Sequence, residues 1–507
     1  MEGNPVIGIA GHRAPPSERI EAGGGNRLMA QAAILSDGDW RPALSGETIA
    51  VVDPSDGEAF AEIARGSAGD VDRAVASARG AYESHWGRTP AFERGRLLRR
   101  LGERVEACGE ELAALESRDT GKPLKQARVD AAVAARYFEF YAGAADKLHG
   151  DTLPFLDGYQ VVTLREPFGV TGHIIPWNYP LQMGARTMAA ALAAGNALVL
   201  KPAEEACLTV LRLAELALAA GLPADVVNIV TGYGEEAGSA LAAMGGVDHV
   251  SFTGSPEVGT LVQQAAARRN AGCTMELGGK SPQIVFADAD FDAAVPVIVN
   301  AIIQNAGQTC SAGSRLLVED SAYDAFMALV AERFGGLRAG AAGRDLDCGP
   351  LISAAQKTRV EGYVERARAE GIAAIAQGKV DDDAPSGGFY VAPVLFGPVP
   401  HANRLACEEV FGPVLSAIRF TGEDDAVHIA NGTDYGLTAG LWTENGGRQL
   451  RVAKALRCGQ VFVNAYGAGG GVELPFGGMK RSGHGREKGM EALHELTTVK
   501  TVVLRHG

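Results

Sequence analysis

The sequence predicts an α/β fold with a parallel β-sheet, because strand-like and helix-like segments alternate regularly between residues 170 and 253. Short apolar runs of strand length lie at residues 170–175, 197–200, 226–230 and 249–253. Ala- and Leu-rich segments of helical composition lie between them, at residues 181–194, 209–220 and 235–244. This order indicates parallel strands whose sheet is covered by helices on both faces.

Size and composition limit the possible functions. The chain has 507 residues, enough for two or three domains. Its formal net charge of -14 disfavours nucleic acid and anionic membranes as partners. Seven scattered cysteines, none in a CxxC pair, are typical of a reducing compartment, without a disulfide framework or a zinc site. No apolar run reaches the roughly 18 residues of a membrane span. We therefore expect a cytoplasmic protein without metal.

The ends of the chain give further predictions. Residues 1–28 mix prolines, glycines and charges without the apolar core of a secretory signal, so we expect a disordered extension. Two helices are predicted at residues 71–84 and 91–115, the second with Thr89 as its cap and Pro90 at its first position. The β-prone run 496–504 requires a pairing strand, within the chain or on another subunit.

Polar residues follow each predicted strand, at the sheet edge where α/β proteins bind ligands. These segments are residues 176–178, 201–204, 231–234 and 253–255. Thr253-Gly254-Ser255 leads into a helix start, and a helix N-terminus attracts phosphate. On this segment alone a plain strand-to-helix turn is an equal alternative. The glycines of residues 232–238 resemble the GxGxxG dinucleotide fingerprint, but there is one residue too many before the last glycine.

Cys310 is the candidate nucleophile. It lies in a segment with glycine at positions 307 and 313 and with several amide and hydroxyl side chains, shortly after an apolar run at residues 295–303. Such surroundings allow close backbone approach to a ligand and suit a reactive thiolate. Free cysteine is also a common core residue, so this segment alone leaves both interpretations open.

Five motifs together resemble the aldehyde dehydrogenase superfamily. They lie in the family's order at residues 176–180, 275–282, 305–313, 408–414 and 475–483. The resemblance extends from about Val51 to the C-terminus. It implies an NAD-binding domain at residues 29–144 and 165–278 and a catalytic domain at 279–485. It also implies a small β extension at 145–164 and 486–507 that mediates a homodimer or homotetramer.

The resemblance implies oxidation of an aldehyde to a carboxylic acid. Cys310 would form a thiohemiacetal with the aldehyde, and hydride transfer would leave a thioester. Asn178 would hold the oxyanion, although an asparagine can also shape the turn before Pro180. Glu276 would activate the water that hydrolyses the thioester, although most lone glutamates are solvated. Coenzyme A-acylating relatives lack this glutamate.

The resemblance also assigns cofactor contacts. Lys201, counted among the catalytic positions as well, and Glu204 would hold the adenosine ribose. Because a carboxylate repels a 2′-phosphate, NAD is expected rather than NADP. Glu409 and Phe411 would bind the nicotinamide ribose and ring, although Phe411 is equally a core aromatic by itself. The other expected contacts are Ile174, Pro176, Trp177, Gly234, Gly254, Ser255, Val258 and Leu277.

Substrate contacts are expected at a further group of positions and in the glycine-rich loop after Tyr466. These positions are Tyr179, Met183, Arg186, Thr309, Ser311 and Phe476. Arg186 matches an arginine with which succinic-semialdehyde members hold a carboxylate. Their companion arginine is replaced here by Gln304. A carboxylated aldehyde is thus an alternative substrate, and a structural ion pair of Arg186 competes with that interpretation.

Two other function classes remain as alternatives. A thiol hydrolase with a histidine base would need no redox cofactor, but it would leave the segments at 201–204 and 254–259 unexplained. A non-catalytic NAD-binding protein is hard to reconcile with a chain that retains Cys310, Glu276 and Asn178.

Overall fold

The computed structural model describes residues 32–467 and 471–507. The extension predicted for residues 1–28 and the middle of the glycine-rich loop, residues 468–470, lie outside the described residues. The helices are α1 (Ala68–Ser84), α2 (Ala91–Ala107), α3 (Gly109–Thr120), α4 (Leu124–Ala144), α5 (Pro180–Ala194), α6 (Leu208–Ala219), α7 (Ser239–Ala243), α8 (Pro256–Ala267), α9 (Phe291–Ile303), α10 (Tyr323–Gly335), α11 (Ala354–Ala369), α12 (Arg404–Cys407), α13 (Gly422–Asn431), α14 (Gly446–Ala455) and α15 (Gly489–Glu495).

The strands range from two to nine residues in length. They are β1 (Ile34–Ser36), β2 (Asp39–Arg41), β3 (Thr48–Val52), β4 (Ala59–Ala64), β5 (Thr152–Leu153), β6 (Tyr159–Pro167), β7 (Val170–Ile175), β8 (Ala197–Pro202), β9 (Val227–Ile229), β10 (His249–Thr253), β11 (Gly272–Glu276), β12 (Pro282–Val285), β13 (Arg315–Glu319), β14 (Arg338–Ala339), β15 (Ala374–Gln377), β16 (Lys379–Val380), β17 (Val394–Phe396), β18 (Val414–Phe420), β19 (Thr438–Trp442), β20 (Gln460–Val463), β21 (Gly483–His484) and β22 (Thr497–Arg505).

The first large sheet has the order β2-β1-β9-β8-β7-β10-β11-β21. The five central strands β9, β8, β7, β10 and β11 are parallel to one another, whereas β1, β2 and β21 add antiparallel edges. Strands β7, β8 and β10 are buried along their whole length, as expected for a parallel sheet with helices on both faces. The predicted α/β fold class is confirmed, and the parallel arrangement holds for the strands that the sequence indicated.

Two predicted helices differ in detail. The single helix predicted at residues 91–115 is wrong, because α2 ends at Ala107 and α3 begins at Gly109. Glycine weakens a helix interior, and the glutamates at 110 and 111 favour the first turn of a new helix. Thr89 is not the cap, since Pro90 occupies that position. The segment predicted at 235–244 is a π-helical turn, Gly234–Gly238, followed by α7.

The second large sheet has the order β15-β17-β18-β13-β12-β19-β20, and β15 is its antiparallel edge. Each large sheet is surrounded by its own hydrophobic core. The connection between the sheets is short, because β11 of the first sheet ends at Glu276 and β12 of the second begins at Pro282. Glu276 therefore lies where the chain passes from one sheet to the other.

The C-terminal run pairs within the chain. Strand β22 is antiparallel to β6 over nine residue pairs, and β5 completes a three-stranded sheet in the order β22-β6-β5. Around this sheet, several large apolar side chains are exposed: Leu153, Phe155, Leu156, Leu164, Val499, Val503 and Leu504. Among the helices of the described chain, none has both the length and the apolar character needed to cross a membrane.

Candidate active site

A tight turn places Cys310 after α9. Asn305, Ala306 and Gly307 are all in the left-handed region, with φ of 48°, 52° and 76°. Alanine rarely adopts this conformation, and such backbone strain tends to occur at functional sites. A Cβ on Gly307 would lie 2.1 Å from the carbonyl oxygen of Gly412. Glycine is therefore required where the turn meets the neighbouring loop.

Cys310 lies at the junction of two cavities. One has a volume of about 870 Å³ and the other about 570 Å³, and Cys310 and Met183 line both. The sulfur is half-buried. Cys310 thus faces two spaces large enough for ligands, and the interpretation as a core residue is wrong.

The surroundings of Cys310 disfavour its thiolate. Burial raises the pKa of the Cys310 thiol to about 12, and the carboxylates of Glu409 and Glu276 raise it further. Arg186 and Lys488 act in the opposite direction. The thiol is therefore protonated near neutral pH, so a reaction at sulfur requires a proton acceptor.

Glu276 is a buried carboxyl group at the end of β11. Neither of its oxygens has a hydrogen-bond partner among the described residues. Burial raises the pKa of Glu276 well above its usual range, with a further contribution from Glu487. A Cβ on Gly477 would lie 2.7 Å from Oε1, so the glycine leaves room for this side chain. Such a carboxyl group costs stability and is suited to binding water or a proton.

Asn178 is connected to the cysteine loop. Its side-chain Nδ2 donates to the backbone carbonyl oxygen of Gln308 over 2.9 Å. The backbone carbonyl oxygen of Asn178 accepts from Asn305 Nδ2 over 2.9 Å. Asn178 lines the larger cavity together with Cys310. An amide nitrogen carries two hydrogens, so one remains for an oxygen bound beside the sulfur.

Aromatic and acidic side chains form one end of the larger cavity. The rings of Trp177 and Phe411 meet edge to face with their centres 5.5 Å apart. Glu409 Oε1 accepts from the backbone N–H of Gly279 over 2.8 Å, and burial raises the pKa of Glu409 to about 7. A Cβ on Gly278 would lie 2.2 Å from Glu409 Oε2. Gly278, which has no side chain, therefore leaves room for the Glu409 carboxylate, and the N–H of Gly279 binds it.

The N-terminus of α8 opens into the same cavity. Ser255 caps this helix by accepting from the N–H of Val258 over 3.3 Å, and Pro256 occupies the first turn. A Cβ on Gly254 would lie 2.5 Å from the Phe252 ring. Gly259 packs closely on Leu277, to which a Cβ would come within 2.6 Å. The predicted strand, turn and helix start are present, and they present a helix N-terminus to the cavity.

Lys201, near the end of β8, forms an ion pair with Glu204, which follows the strand. Lys201 Nζ lies 2.7 Å from Glu204 Oε2, and the backbone N–H of Gly234 donates to Glu204 Oε1 over 3.4 Å. The structure therefore brings three predicted cofactor contacts together. Of all those predicted, Pro176, Trp177, Gly254, Ser255, Glu409 and Phe411 line the larger cavity. The remaining ones, Ile174, Lys201, Glu204, Gly234, Val258 and Leu277, are not part of its lining.

The smaller cavity contains every predicted substrate position. These are Tyr179, Met183, Arg186, Thr309, Ser311 and Phe476, and both Gly467 and Gly471 line it as well. Much of the remaining wall is apolar, with Val129, Val133, Tyr137, Val297, Ala301, Phe462, Tyr466 and Leu474.

A buried charged cluster behind Tyr179 was not predicted. Lys122 forms ion pairs with Glu116 and Asp130, and all three side chains are buried. Lys122 Nζ also lies 4.2 Å from the centre of the Tyr179 ring. The Tyr179 hydroxyl accepts from Gln304 over 2.7 Å. Glu116 lies on α3, Asp130 on α4 and Lys122 in the connection between them, and nothing in the sequence of this segment indicates that these residues meet at the cavity.

Arg186 forms a buried ion pair with Glu487, in agreement with the competing interpretation. Ser251 Oγ donates to the other oxygen of Glu487 over 2.9 Å. Sequence reasoning also missed Glu487 and Lys488, although they lie only four and five residues after the motif at residues 475–483. Arg186 is therefore bound to a protein carboxylate.

Comparisons with known proteins agree with this geometry. The family model described as "Aldehyde dehydrogenase family" matches residues 40–502. Retinal dehydrogenase 2 of Homo sapiens is 42% identical over 477 residues, which cover 93% of this chain and 91% of that protein.

Solved structures are similar over nearly the whole chain. One from Burkholderia cenocepacia, assigned to the aldehyde dehydrogenases, is 63% identical with a TM-score of 0.93 and covers 94% of this chain and 100% of its own. Betaine aldehyde dehydrogenase from Staphylococcus aureus, solved with NAD+, is 34% identical with a TM-score of 0.91 and covers 96% and 97%. The chain belongs to the aldehyde dehydrogenase family.

Proposed function

We propose that the protein oxidises an aldehyde to a carboxylic acid with NAD and hydrolyses the thioester formed on the way. The observation that carries this proposal is the position of Cys310, which lines both cavities. An aldehyde in the smaller cavity and a dinucleotide in the larger one would meet at its sulfur. Thiol attack followed by hydride transfer needs this meeting of two ligands.

The residues of the larger cavity fit a dinucleotide. The helix N-terminus at Ser255 suits a pyrophosphate, and the Trp177 and Phe411 rings offer apolar contact to a nicotinamide. Glu204 supports NAD over NADP, because a second negative charge beside this carboxylate would be repelled. When bound there, NAD supplies the acceptor for the hydride.

Cys310, Asn178 and Glu276 carry the remaining chemistry. The Cys310 thiol gives its proton to a water molecule in the cavity, and its sulfur bonds to the aldehyde carbon. The second Nδ2 hydrogen of Asn178 and the backbone N–H of Cys310 hold the negative oxygen. After the carbon has lost its hydride, Glu276 takes a proton from water, which attacks the thioester and releases the acid. The Glu276 carboxyl lines the larger cavity and has no hydrogen-bond partner among the described residues, so its oxygens are open to that water.

The proposed substrate is a neutral aldehyde with an apolar body. Apolar and aromatic side chains form much of the cavity wall. The alternative, a carboxylated aldehyde held by Arg186, loses support because Arg186 is paired with Glu487. A carboxylate on the substrate would have to displace Glu487 from its buried ion pair with Arg186.

The wider organisation is part of the proposal. We assign NAD binding to residues 29–144 and 165–278, catalysis to 279–485, and subunit contact to the remaining segments 145–164 and 486–507. Apolar side chains exposed at the three-stranded sheet support a homodimer or homotetramer. The seven cysteines, all free, support a reducing compartment such as the cytoplasm.

C310A tests the function directly. We expect it to abolish NADH formation from neutral aldehydes, a loss of roughly a thousandfold or more, because no other group replaces the nucleophile. NAD binding, measured by quenching of tryptophan fluorescence, should persist. Aldehyde oxidation retained by C310A would refute the proposal.

A further inference from the structure

The Asn305 side chain contacts both segments that carry the proposed catalytic groups. Asn305 is only 2% exposed, in the turn that precedes Cys310. Its Nδ2 donates to the backbone carbonyl oxygen of Asn178 over 2.9 Å and to that of Gln308 over 3.3 Å. An amide nitrogen carries two hydrogens, and both are used here. One side chain therefore joins the turn after β7 to the segment that leads into Cys310.

Asn178 makes a matching contact from the other side. Its own Nδ2 donates over 2.9 Å to the Gln308 carbonyl oxygen, which lies two residues before Cys310. Two amide groups thus converge on one acceptor. Asn178 follows β7 of the first large sheet, whereas Asn305 lies between α9 and β13 of the second. Hydrogen bonds that involve Asn178 therefore fasten one sheet to the other next to the nucleophile.

The backbone of Asn305 explains why an asparagine fits this position. It is in the left-handed region, with φ of 48° and ψ of 38°, which asparagine adopts more readily than most other residues with a side chain. Its N–H donates to Gln126 Oε1 over 2.9 Å, and its carbonyl oxygen accepts from Gln308 Nε2 over 3.1 Å. Glycine would also adopt this backbone conformation, but it would supply no amide to Asn178.

These contacts control where the Asn178 amide lies relative to the sulfur. A donor stabilises a developing oxyanion only when it lies about 2.7–3.1 Å from the position of that oxygen. The bond to Gln308 directs one Nδ2 hydrogen of Asn178, and Asn305 fixes the Asn178 backbone against the same carbonyl group. A shift between these two segments would move the second Nδ2 hydrogen away from the oxygen.

We infer that Asn305 is a positioning residue for the oxyanion donor, and that it sets the distance between the Asn178 amide and Cys310. This inference rests on the proposed function, in which Cys310 attacks the aldehyde and Asn178 holds the negative oxygen. Asn305 itself is not part of the lining of either cavity. It acts through Asn178 and contacts no reacting atom.

N305G tests the inference, because it allows the left-handed backbone and removes the amide. With the enzyme–NAD complex in excess over a neutral aldehyde, we expect the first hydride transfer to slow roughly ten- to a hundredfold in stopped-flow measurements. Alkylation of Cys310 by iodoacetamide builds no oxyanion on the attacked carbon. Its rate, followed by mass spectrometry, should stay within about twofold of wild type, as should the Kd for NAD.

A double variant separates positioning from a general structural effect. N178A removes the donor and should slow hydride transfer by roughly a hundredfold or more. If Asn305 acts through Asn178, adding N305G to N178A should slow the step further by less than about twofold. Independent effects would instead multiply.

N270G is the matched control for N305G. Asn270 follows α8 and is exposed, and its backbone is also left-handed, with φ of 57°. The same substitution at this position should leave hydride transfer unchanged, because Asn270 is part of neither cavity wall.

Three outcomes would overturn the inference: unchanged hydride transfer in N305G, an equal slowing of alkylation and hydride transfer, or multiplied effects in the double variant. If N305G does not fold by circular dichroism, N305D is measured against the same expectations, since an ionised carboxylate keeps the size of the side chain but has no hydrogen to donate. Failure of the proposed function is distinguishable, because it would appear as aldehyde oxidation retained in C310A.

Discussion

At the scale of single residues, the two groups that we propose for catalysis, Cys310 and Glu276, are held in their neutral forms. Burial raises the pKa of Cys310 to about 12 and that of Glu276 well above its usual range. In the roles that we propose for them, both groups must therefore release a proton during turnover. An active site of this kind gives up stability for reactivity, since the buried Glu276 carboxyl has no hydrogen-bond partner among the residues that the structure describes.

E276Q should separate the two halves of the reaction. The amide cannot accept a proton, so we expect thioester hydrolysis to slow by roughly a hundredfold or more, while the first hydride transfer is affected less. Stopped-flow measurement of NADH should show a burst of about one equivalent per subunit before a slow steady state. In wild type the hydrolysis rate should rise with pH, because the raised pKa of Glu276 must be passed before the base is ionised.

E257Q is the matched control for E276Q. Glu257 lines the same cavity, but it is exposed and pairs with Arg481. This variant should keep the wild-type ratio of burst to steady state. Simultaneous loss of burst and steady state in E276Q would contradict the assigned role.

At the scale of elements, the sequence could predict what depends on local pattern. Strands β7 and β10 begin and end at the predicted residues, because each is a short β-prone stretch that is ended by Pro176 or by the turn at Gly254. The break at Cys108 was missed, because the amphipathic pattern continues across it. The motif residues could be placed by resemblance, but only those that follow β7 and β11 are brought together by the shared carboxyl edge of one parallel sheet.

Contacts between distant segments could not be predicted. Lys122 and Asp130 reach Tyr179 only because α4 packs against α5. Arg186 and Glu487 lie 301 positions apart in the chain, and they meet because α15 also packs against α5. No local pattern encodes such meetings, so the competing interpretations of Arg186 stayed open until the fold was known.

The Arg186–Glu487 pair gives a prediction at this scale. R186A leaves a buried carboxylate alone, so we expect a loss of roughly 3–5 kcal/mol in the free energy of unfolding. The KM values of neutral and carboxylated aldehydes should change by the same factor. Urea denaturation and steady-state kinetics measure the two effects.

R186M combined with E487M is the companion variant. Removing both charges should recover most of the stability, because neither partner is then buried alone. A selective rise in KM for carboxylated aldehydes in R186A would instead restore the anion-binding interpretation of Arg186.

At the scale of the whole molecule, the three-stranded sheet is where this chain is expected to meet another copy. Val499 and Val503 are 51% and 54% exposed on one face of β22, and Leu153, level with Val503 across the sheet, is 42% exposed. Exposed apolar side chains aligned on one sheet face are typical of a protein interface.

V499K combined with V503K should therefore dissociate the oligomer. Both side chains are already exposed, so the substitutions should change monomer stability by less than about 1 kcal/mol, whereas two buried charges at an interface would oppose association. Sedimentation velocity over a series of concentrations would show a smaller species than wild type. T498K places a lysine on the opposite face of the same strand, where Lys500 already pairs with Glu166, and should leave the mass unchanged. An unaltered mass in the double variant would mean that the subunits meet elsewhere, and the segments at 145–164 and 486–507 would lose their assigned role.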